Sequence, residues 1–380
     1  MIKSLILVRH AKTEERSPEI EDHERQLTSA GIRSAKAAIP RAFALVEHPE
    51  EHHIWSSPAV RARQTAEIVA DAMGLSEIEE VPALYSDEVM AVRQMLDEEK
   101  GNLVIVGHNP FLEELSGTLT PAHLKFGKCA AACYVFPKGD LQSAELSWFV
   151  QGPDSSRWET LVDMEAALSK VGRRVSSATW AFFDDPKNPD YLREVRAALR
   201  DCLTILDFAQ PWLKAKSFNR MYDAFASFYD DTSELRSLAI PSRTAEQYRA
   251  IPFVTPEAQR MYDRLRVMEA TRNRTIVKLQ TPARQKAFHT AIQSLRDPAW
   301  KNAVETDGVE KAELKRRFKK EKRAAKQQRL EFEALPESDR KSDAERKIKK
   351  SEERVAFLAS CLPCLFGQNV IEETLEEDSE

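Results

Sequence analysis

Two histidines and two arginines stand at or near the ends of apolar runs in the first third of the chain. Arg9 and His10 follow the run SLILV, His108 follows LVIV and a glycine, and Arg61 lies near the start of an amphipathic stretch. A single strand that ends on a histidine has a simple interpretation, namely a strand end that reaches solvent. Three such positions, each with a histidine or an arginine, instead favour one shared site.

These residue types suit the transfer of a phosphoryl group. A guanidinium presents a planar fork that matches phosphate oxygens, and a neutral imidazole is a good nucleophile near neutral pH. We therefore predict that His10 attacks phosphorus, that Arg9 and Arg61 hold two phosphoryl oxygens, and that His108 holds another. Fixed positive charge supplies most of the catalysis in such a reaction, so we expect neither a metal ion nor an organic cofactor.

Short apolar runs alternate with amphipathic stretches in the first half. SLILV, LVIV, AACYVF and LSWFV predict strands, and SSPAVRARQTAEIVADAMG predicts a helix that Ser56 or Ser57 caps and Gly74 ends. His52 and His53 are interpreted as loop residues. The alternation predicts an α/β fold, a three-layer sheet with helices on both faces, in which catalytic groups lie at the carboxyl ends of strands.

Glycine and charge separate the chain into two halves. Eight of the 11 glycines precede residue 153, and long helices avoid glycine. We therefore predict an α/β domain over residues 1–152, an all-α helical-bundle domain over 157–370 and an acidic tail over 371–380. Residues 1–155 carry a formal charge of −9 and residues 156–380 carry +4. Charges of opposite sign predict different partners for the two halves.

The bulk composition favours a soluble protein of the cytoplasm. No apolar segment typical of a signal peptide follows the first residues, and no run of 18 apolar residues could span a membrane. The five cysteines are odd in number and scattered, which is typical of reduced thiols. The lone CxxC pair, Cys361 and Cys364, lacks the second pair or the histidines that a metal site needs, so a structural role is favoured.

The motifs LVRHAK, DHERQLTSAG, SSPAVRARQTA and VIVGHNP, in this order and spacing, resemble the histidine phosphatase superfamily. Within it they are most similar to the SixA-type phosphohistidine phosphatases, and the resemblance covers roughly residues 1–152. It implies that His10 forms a phosphohistidine intermediate. It also implies that Arg9, Arg61 and His108 complete the catalytic set.

The resemblance leaves the proton donor open. Arg25, in an R-x-L-T-x-x-G element, is implied to lie near the pocket, and Lys12 is a second candidate for substrate binding. Many relatives place a carboxylic acid beside the leaving oxygen, but here Asn109 follows the second histidine, and Asp87 and Glu88 are only candidate acids. A missing strong acid disfavours alkyl phosphates and favours phosphohistidine in a protein, whose leaving imidazole is easily protonated.

The second half resembles, more weakly, a CHAD domain, a helical module associated with polyphosphate. The resemblance covers roughly residues 157–370. This chain departs from the family at Tyr191 and Glu194, where the family has histidine and arginine. It implies a site for inorganic polyphosphate or another polyanion. The candidate residues are Arg193, Arg196, Arg200, Arg316, Arg317, Lys319, Lys320, Lys322 and Arg323.

The leading hypothesis is thus a metal-independent phosphatase whose partner is a phosphorylated protein, fused to a polyanion-binding helical domain. One alternative is a non-catalytic sensor or scaffold that only recognises phosphate or a polyanion. A second alternative keeps the enzyme but gives it small phosphate esters or polyphosphate as substrates. Nucleic acid is not expected as a partner, because the basic half carries only +4 and lacks aromatic residues interleaved with its basic ones.

Overall fold

The computed structural model describes residues 1–86, 88–122, 124–186, 188–237, 255–335 and 342–362. The chain forms two compact units. The first comprises residues 1–162 together with 305–311, and the second comprises 163–304 and resumes at 312. Residues 153–156, which separate the two predicted domains, precede this division by a few residues, and the predicted acidic tail lies outside the described residues.

A six-stranded mixed sheet forms the centre of the first unit. Its strand order is β3-β2-β4-β1-β5-β6, in which β1, β2, β3, β4 and β6 run in one direction and β5 runs antiparallel to them. The strands are β1 (Ile2–Arg9), β2 (His52–Ser56), β3 (Glu79–Glu80), β4 (Gly101–Gly107), β5 (Ala131–Val135) and β6 (Glu145–Val150).

Helices cover both faces of this sheet, as the sequence predicts. Successive residues of β1 alternate between the faces, so that Leu5 and Leu7 join one apolar core and Ile6 and Val8 join the other. The first core includes side chains of α3 (Val89–Glu98) and α4 (Phe111–Leu119), and the second includes side chains of α1 (Ser29–Phe43) and α2 (Val60–Met73). Because both faces are buried, the central strands are almost uniformly apolar.

Two local expectations for this unit are wrong. His52 and His53 lie in β2 and not in a loop, because β2 pairs along its length with β4, and this pairing outweighs the weak strand preference of histidine. The helix α2 starts later than predicted, at Val60, and no side chain caps it. The predicted end is correct, since Gly74 adopts a left-handed φ of 72° there.

The rest of the described chain is helical, as predicted from its scarcity of glycine. The segment DYLREVRAALRDCLTILDFAQPWL predicts a helix with an apolar stripe of Val195, Leu199, Cys202 and Leu206, and these four side chains are fully buried. The segment PSRTAEQYRAIPFVTPE, residues 241–257, predicts a connector because of its three prolines, and most of it lies outside the described residues. The helices are α5 (Ser155–Asp184), α6 (Pro189–Ala209), α7 (Ala215–Ser237), α8 (Pro256–Leu279), α9 (Pro282–Arg296), α10 (Asn302–Asp307), α11 (Lys311–Glu333) and α12 (Ser342–Cys361). Among the described residues, none of these helices has both the length and the hydrophobicity to cross a bilayer.

Candidate active site

The sheet brings the predicted catalytic residues to one edge. β1 and β4 are neighbours and parallel, with Arg9 opposite Gly107, so His10 and His108 emerge side by side. β2 lies on the other side of β4, and α2 carries Arg61 back above the same edge. A cavity of about 490 Å³ lies there. Its lining consists of Arg9, His10, Arg16, Asp22, Arg25, Arg61, Tyr85, His108, Asn109, Pro110 and Lys128.

His10 is buried and is held in a fixed orientation. Its Nδ1 lies 2.8 Å from the carbonyl oxygen of Ala11, which favours the tautomer with the proton on Nδ1 and a free lone pair on Nε2. The main chain beside it is fixed by α2, because the Ala11 amide donates to the Thr65 hydroxyl, 3.1 Å away. Burial, and after it the charge of Lys128, lowers the pKa of His10 to about 2. The imidazole is therefore neutral, as a nucleophile must be.

Three guanidinium groups meet at the carboxylate of Asp22. Arg61 is buried and donates through Nη2 to Oδ2 of Asp22 at 2.8 Å, and through Nη1 to its main-chain oxygen. Arg25 donates through Nη1 to the other carboxylate oxygen at 2.6 Å, and Nε of Arg16 lies 3.4 Å from that atom. Burial would raise the pKa of Asp22, but hydrogen bonds and charges from Arg25 and Arg61 lower it overall. Asp22 therefore holds the arginines at a fixed spacing.

Arg9 has one buried N–H group that lacks a partner among the described residues. Its Nη1 donates to the carbonyl oxygen of Phe126 at 2.5 Å, but its Nε is buried without a hydrogen bond. Burial lowers the pKa of Arg9, an effect that the charge of Glu113 opposes. A buried donor without an acceptor costs roughly 1–3 kcal/mol, more when it is charged. An anion in the cavity would relieve that cost.

Asn109, which follows the predicted catalytic residue His108, has a structural role. Its amide nitrogen donates to Oε1 of Glu113 at 2.5 Å and to the carbonyl oxygen of Phe126 at 3.1 Å. The imidazole of His108 packs edge-on against the ring of Tyr85, with the ring centroids 5.7 Å apart. Tyr85 was not singled out in the sequence, because an isolated tyrosine in a loop carries no pattern.

Lys12 and Glu88, two of the predicted site residues, do not line the cavity. The ammonium group of Lys12 forms an ion pair with Glu159. Glu88 accepts a hydrogen bond from the Ser86 hydroxyl, 2.8 Å away, at the start of α3. The other candidate acid, Asp87, lies outside the described residues.

Asp22 and Lys128 line the cavity although neither is among the predicted site residues. A signal for Asp22 exists in DHER, where it precedes Arg25 by three residues and can form a local ion pair. A weaker signal for Lys128 is its place shortly before β5. Because β5 runs antiparallel to β1, its beginning lies at the edge where β1 ends. Burial, and then the charges of nearby arginines, lowers the pKa of Lys128 to about 8.

The prediction that Arg193, Arg196 and Arg200 of α6 are available to a polyanion is wrong for Arg196. Arg196 is half-buried against α7, where its guanidinium stacks 4.3 Å from the centroid of the Tyr229 ring. It also donates to the Ser233 hydroxyl at 2.8 Å, so packing between helices fixes this side chain. Arg193 and Arg200 are exposed, and they pair with carboxylates of Asp190 and Glu353.

The basic residues of α11 are mostly exposed. Leu314 and Phe318 are buried on one side of this helix. Arg317, another of the predicted polyanion residues, is directed inward, because it donates to the Asp207 carbonyl oxygen at 3.0 Å. The predicted residues that are exposed on α11 are Arg316, Lys319, Lys320, Lys322 and Arg323.

The described residues contain no group of three or more histidine, cysteine or acidic side chains that could hold a metal ion. Cys129, Cys133, Cys202 and Cys361 are free thiols. Burial raises the pKa of Cys202 above its usual value. The second cysteine of the CxxC pair lies outside the described residues.

Residues 5–89 match the model of the histidine phosphatase superfamily (branch 1). Solved structures also resemble the chain. One is a protein from Agrobacterium tumefaciens that carries the name phosphohistidine phosphatase SixA, with 24% identity and a TM-score of 0.34 over 40% of this chain and 98% of that one. A protein histidine phosphatase SixA complexed with tungstate has 23% identity and a TM-score of 0.32 over 39% and 96%. A mycobacterial glucosyl-3-phosphoglycerate phosphatase has 16% identity and a TM-score of 0.30 over 40% and 99%. A search of curated proteins gives no significant match.

Proposed function

We propose that the first unit, whose residues 5–89 match the histidine phosphatase superfamily, hydrolyses a phosphoryl group through a covalent intermediate on His10. The family match supports a phosphatase. The observation that carries the mechanism is the neutral His10 imidazole, fixed through Nδ1 beside several guanidinium groups. A merely phosphate-binding sensor would not need a buried nucleophile held in one tautomer.

The residues of the cavity divide the chemistry among them. Nε2 of His10 attacks phosphorus, and Arg9 and Arg61 hold the equatorial oxygens, where negative charge is spread in the transition state. The unpartnered Nε of Arg9 supplies a donor that no protein atom among the described residues occupies. His108, on the neighbouring strand end, contacts the third oxygen. Water then attacks the phosphohistidine and releases phosphate.

The substrate we propose is a phosphohistidine side chain in a protein. Among the described residues, Asp22 is the only carboxylate that lines the cavity. The hydrogen bonds and charges of the arginines lower its pKa and so keep it ionised. A site without a carboxylic acid donor is better suited to a phosphoramidate than to an alkyl ester, because imidazole is the better leaving group. Small phosphate esters and polyphosphate ends are the alternative substrates, and we expect the enzyme to turn them over more slowly than a phosphohistidine protein.

The test of this function is replacement of the nucleophile. We expect His10→Ala to abolish turnover of a phosphohistidine protein, and we expect wild-type enzyme to trap phosphate in an acid-labile, alkali-stable form. His53→Ala, in β2 and away from the cavity, is the matched control and should retain activity. Excess EDTA should leave turnover unchanged. Retention of more than about a tenth of the wild-type rate by His10→Ala would refute the covalent mechanism.

We propose a separate role for the exposed basic face of α11, namely binding of polyphosphate or a similar polyanion. The observation that favours it is the run Lys319, Lys320, Lys322 and Arg323, all exposed within little more than one helical turn. Like charges at this spacing repel one another, and a bound polyanion would relieve the repulsion while releasing counterions.

A further inference from the structure

Lys128 contributes a positive charge to the cavity that no lining carboxylate neutralises. Among the described residues, the lining holds five cationic side chains and one carboxylate, that of Asp22. Asp22 pairs with Arg16, Arg25 and Arg61. The arginines proposed to hold the phosphoryl oxygens, Arg9 and Arg61, do not need the lysine for that role, so Lys128 calls for a different function.

The main chain around Lys128 is held against the nucleophile. The amide of the next residue, Cys129, donates to the carbonyl oxygen of Arg9 at 3.1 Å. Cys129 adopts a φ of 60°, a left-handed conformation that residues other than glycine rarely adopt. A Cβ added at Gly152 would lie 1.6 Å from the carbonyl oxygen of Lys128, so that strand-end glycine packs directly on this peptide. The lysine thus lies on a fixed segment.

Lys128 and His10 line the same cavity, and their charges influence each other. After burial, the charge of Lys128 is the largest influence that lowers the pKa of His10, ahead of Arg61 and Arg9. Burial, Arg9, Arg25 and Arg61 in turn lower the pKa of Lys128 to about 8. The other titratable groups of the lining are Asp22, Tyr85, His108 and Arg16. A group with a pKa near the working pH transfers protons well in both directions.

We propose that Lys128 is a further catalytic residue, the proton donor to the leaving group. This inference rests on the proposed phosphatase function. Glu88 does not line the cavity and the amide of Asn109 carries no titratable proton, so neither fills this role. A donor at this place extends the substrate range from phosphoramidates toward phosphate esters.

The proton balance of the two steps closes on Lys128. As Nε2 of His10 forms its bond to phosphorus, the bond to the leaving atom breaks, its electron pair stays with that atom, and the ammonium gives it a proton. The neutral amine then takes a proton from the water that attacks the phosphohistidine. The bond between Nε2 and phosphorus breaks, its electron pair returns to His10, and phosphate leaves with the ammonium restored.

The experiment compares leaving groups. kcat/KM is measured for p-nitrophenyl phosphate and phenyl phosphate with wild type, Lys128→Arg and Lys128→Met. Arginine keeps the charge but cannot release a proton at these pH values. We expect both variants to lose at least about 10-fold more on phenyl phosphate, whose phenoxide is the poorer leaving group, than on p-nitrophenyl phosphate. Lys125→Met, on the same segment but exposed, is the control and should match wild type on both.

The pH profile gives a second readout. Because the donor must be protonated, wild-type kcat/KM should fall as pH rises through about 8, and Lys128→Arg should lack this limb. Equal losses on the two substrates would overturn the proposal and make Lys128 a phosphate clamp, and no loss would overturn it outright. Thermal unfolding of each variant shows whether it is folded. If Lys128→Met is not, the kinetics of Lys128→Arg decide whether Lys128 donates the proton. Failure of wild type to form phosphohistidine at His10 would instead remove the proposed function itself.

Discussion

At the scale of single residues, the cavity already holds its candidate anion-binding arginines in place. The carboxylate of Asp22 pairs with the Arg61 and Arg25 guanidiniums, and its negative charge reduces the repulsion between these two cations. After burial and the charge of Lys128, the charges of Arg61 and Arg9 also lower the pKa of His10, so the arginines help to keep the imidazole neutral. Preorganised charge of this kind needs no rearrangement during the reaction, which is why it is effective.

Arg61→Lys should be far from conservative. An ammonium group cannot form the two parallel contacts that the Arg61 fork makes, so we expect a loss on the order of 100-fold, chiefly in kcat. Arg63→Lys is the matched control, since Arg63 lies two residues further along α2, is exposed and pairs with Glu80. Steady-state kinetics on one aryl phosphate would decide. Equal, small effects of the two substitutions would contradict the clamp.

At the scale of elements, a close approach between α1 and the loop after β1 positions the catalytic strand end. Thr28 caps α1 by accepting a hydrogen bond from the Gly31 amide at 3.0 Å. The Thr28 amide donates to the carbonyl oxygen of Lys12, also at 3.0 Å. A Cβ added at Gly31 would lie 2.1 Å from that oxygen. The R-x-L-T-x-x-G element therefore ends in glycine because the loop carrying His10 passes directly against the helix.

Gly31→Ala should destabilise the first unit and lower activity together. The added methyl group meets main chain, which cannot move away as a flexible side chain would, so we expect a loss of roughly 1–3 kcal/mol in the free energy of unfolding. Gly117→Ala is the control, because Gly117 is an exposed helical residue of α4 with open space around its Cα. That change should stabilise by ~0.5–1 kcal/mol. Thermal or urea unfolding measures the stability of both variants. An unchanged unfolding midpoint for Gly31→Ala would contradict the prediction, because the main chain at Lys12 would then have moved to accept the methyl group.

At the scale of the whole molecule, two units of unlike chemistry share one chain. The first concentrates cations in a cavity despite a formal charge of −9 over residues 1–155. The second is helical and has a dense run of exposed cations on α11, whereas Arg196 of α6 is packed against Tyr229. The family match does not extend beyond residue 89, so the CHAD-like interpretation of the helical region stays a prediction.

The polyanion role predicts a salt-dependent stabilisation of the full chain. We expect long-chain polyphosphate to raise its melting temperature at low salt and much less at high salt, because the affinity would come from counterion release. Reversing Arg316, Lys319 and Arg323 to glutamate should remove the shift and leave phosphatase turnover intact.

A control for net charge reverses three exposed arginines of α8, namely Arg260, Arg264 and Arg266. This triple variant should keep most of the shift if the α11 face is a specific site. A melting temperature that does not respond to polyphosphate at low salt would leave α11 as a solvated face.

The sequence by itself determined four of the six strands of the first unit and the helix α2, and it was enough to select four candidate catalytic residues. Arg9 and His10 adjoin the end of β1 and His108 follows β4, so local patterns were enough to assign them to strand ends. Arg61 was recoverable for a similar reason, because it lies in the first turn of a helix with clear apolar periodicity.

Only the tertiary structure decided which further side chains reach the cavity and which charged side chains are packed away. Lys128 enters the site through pairing between β1 and β5, strands more than 120 residues apart, and Asp22 through contacts with Arg61 on α2. Lys12 is close to His10 in sequence but pairs with Glu159. Arg196 falls on the polar face of its helix, yet α7 covers it. The direction of a long side chain depends on the partners that folding brings to it, and local sequence periodicity contains no information about those partners.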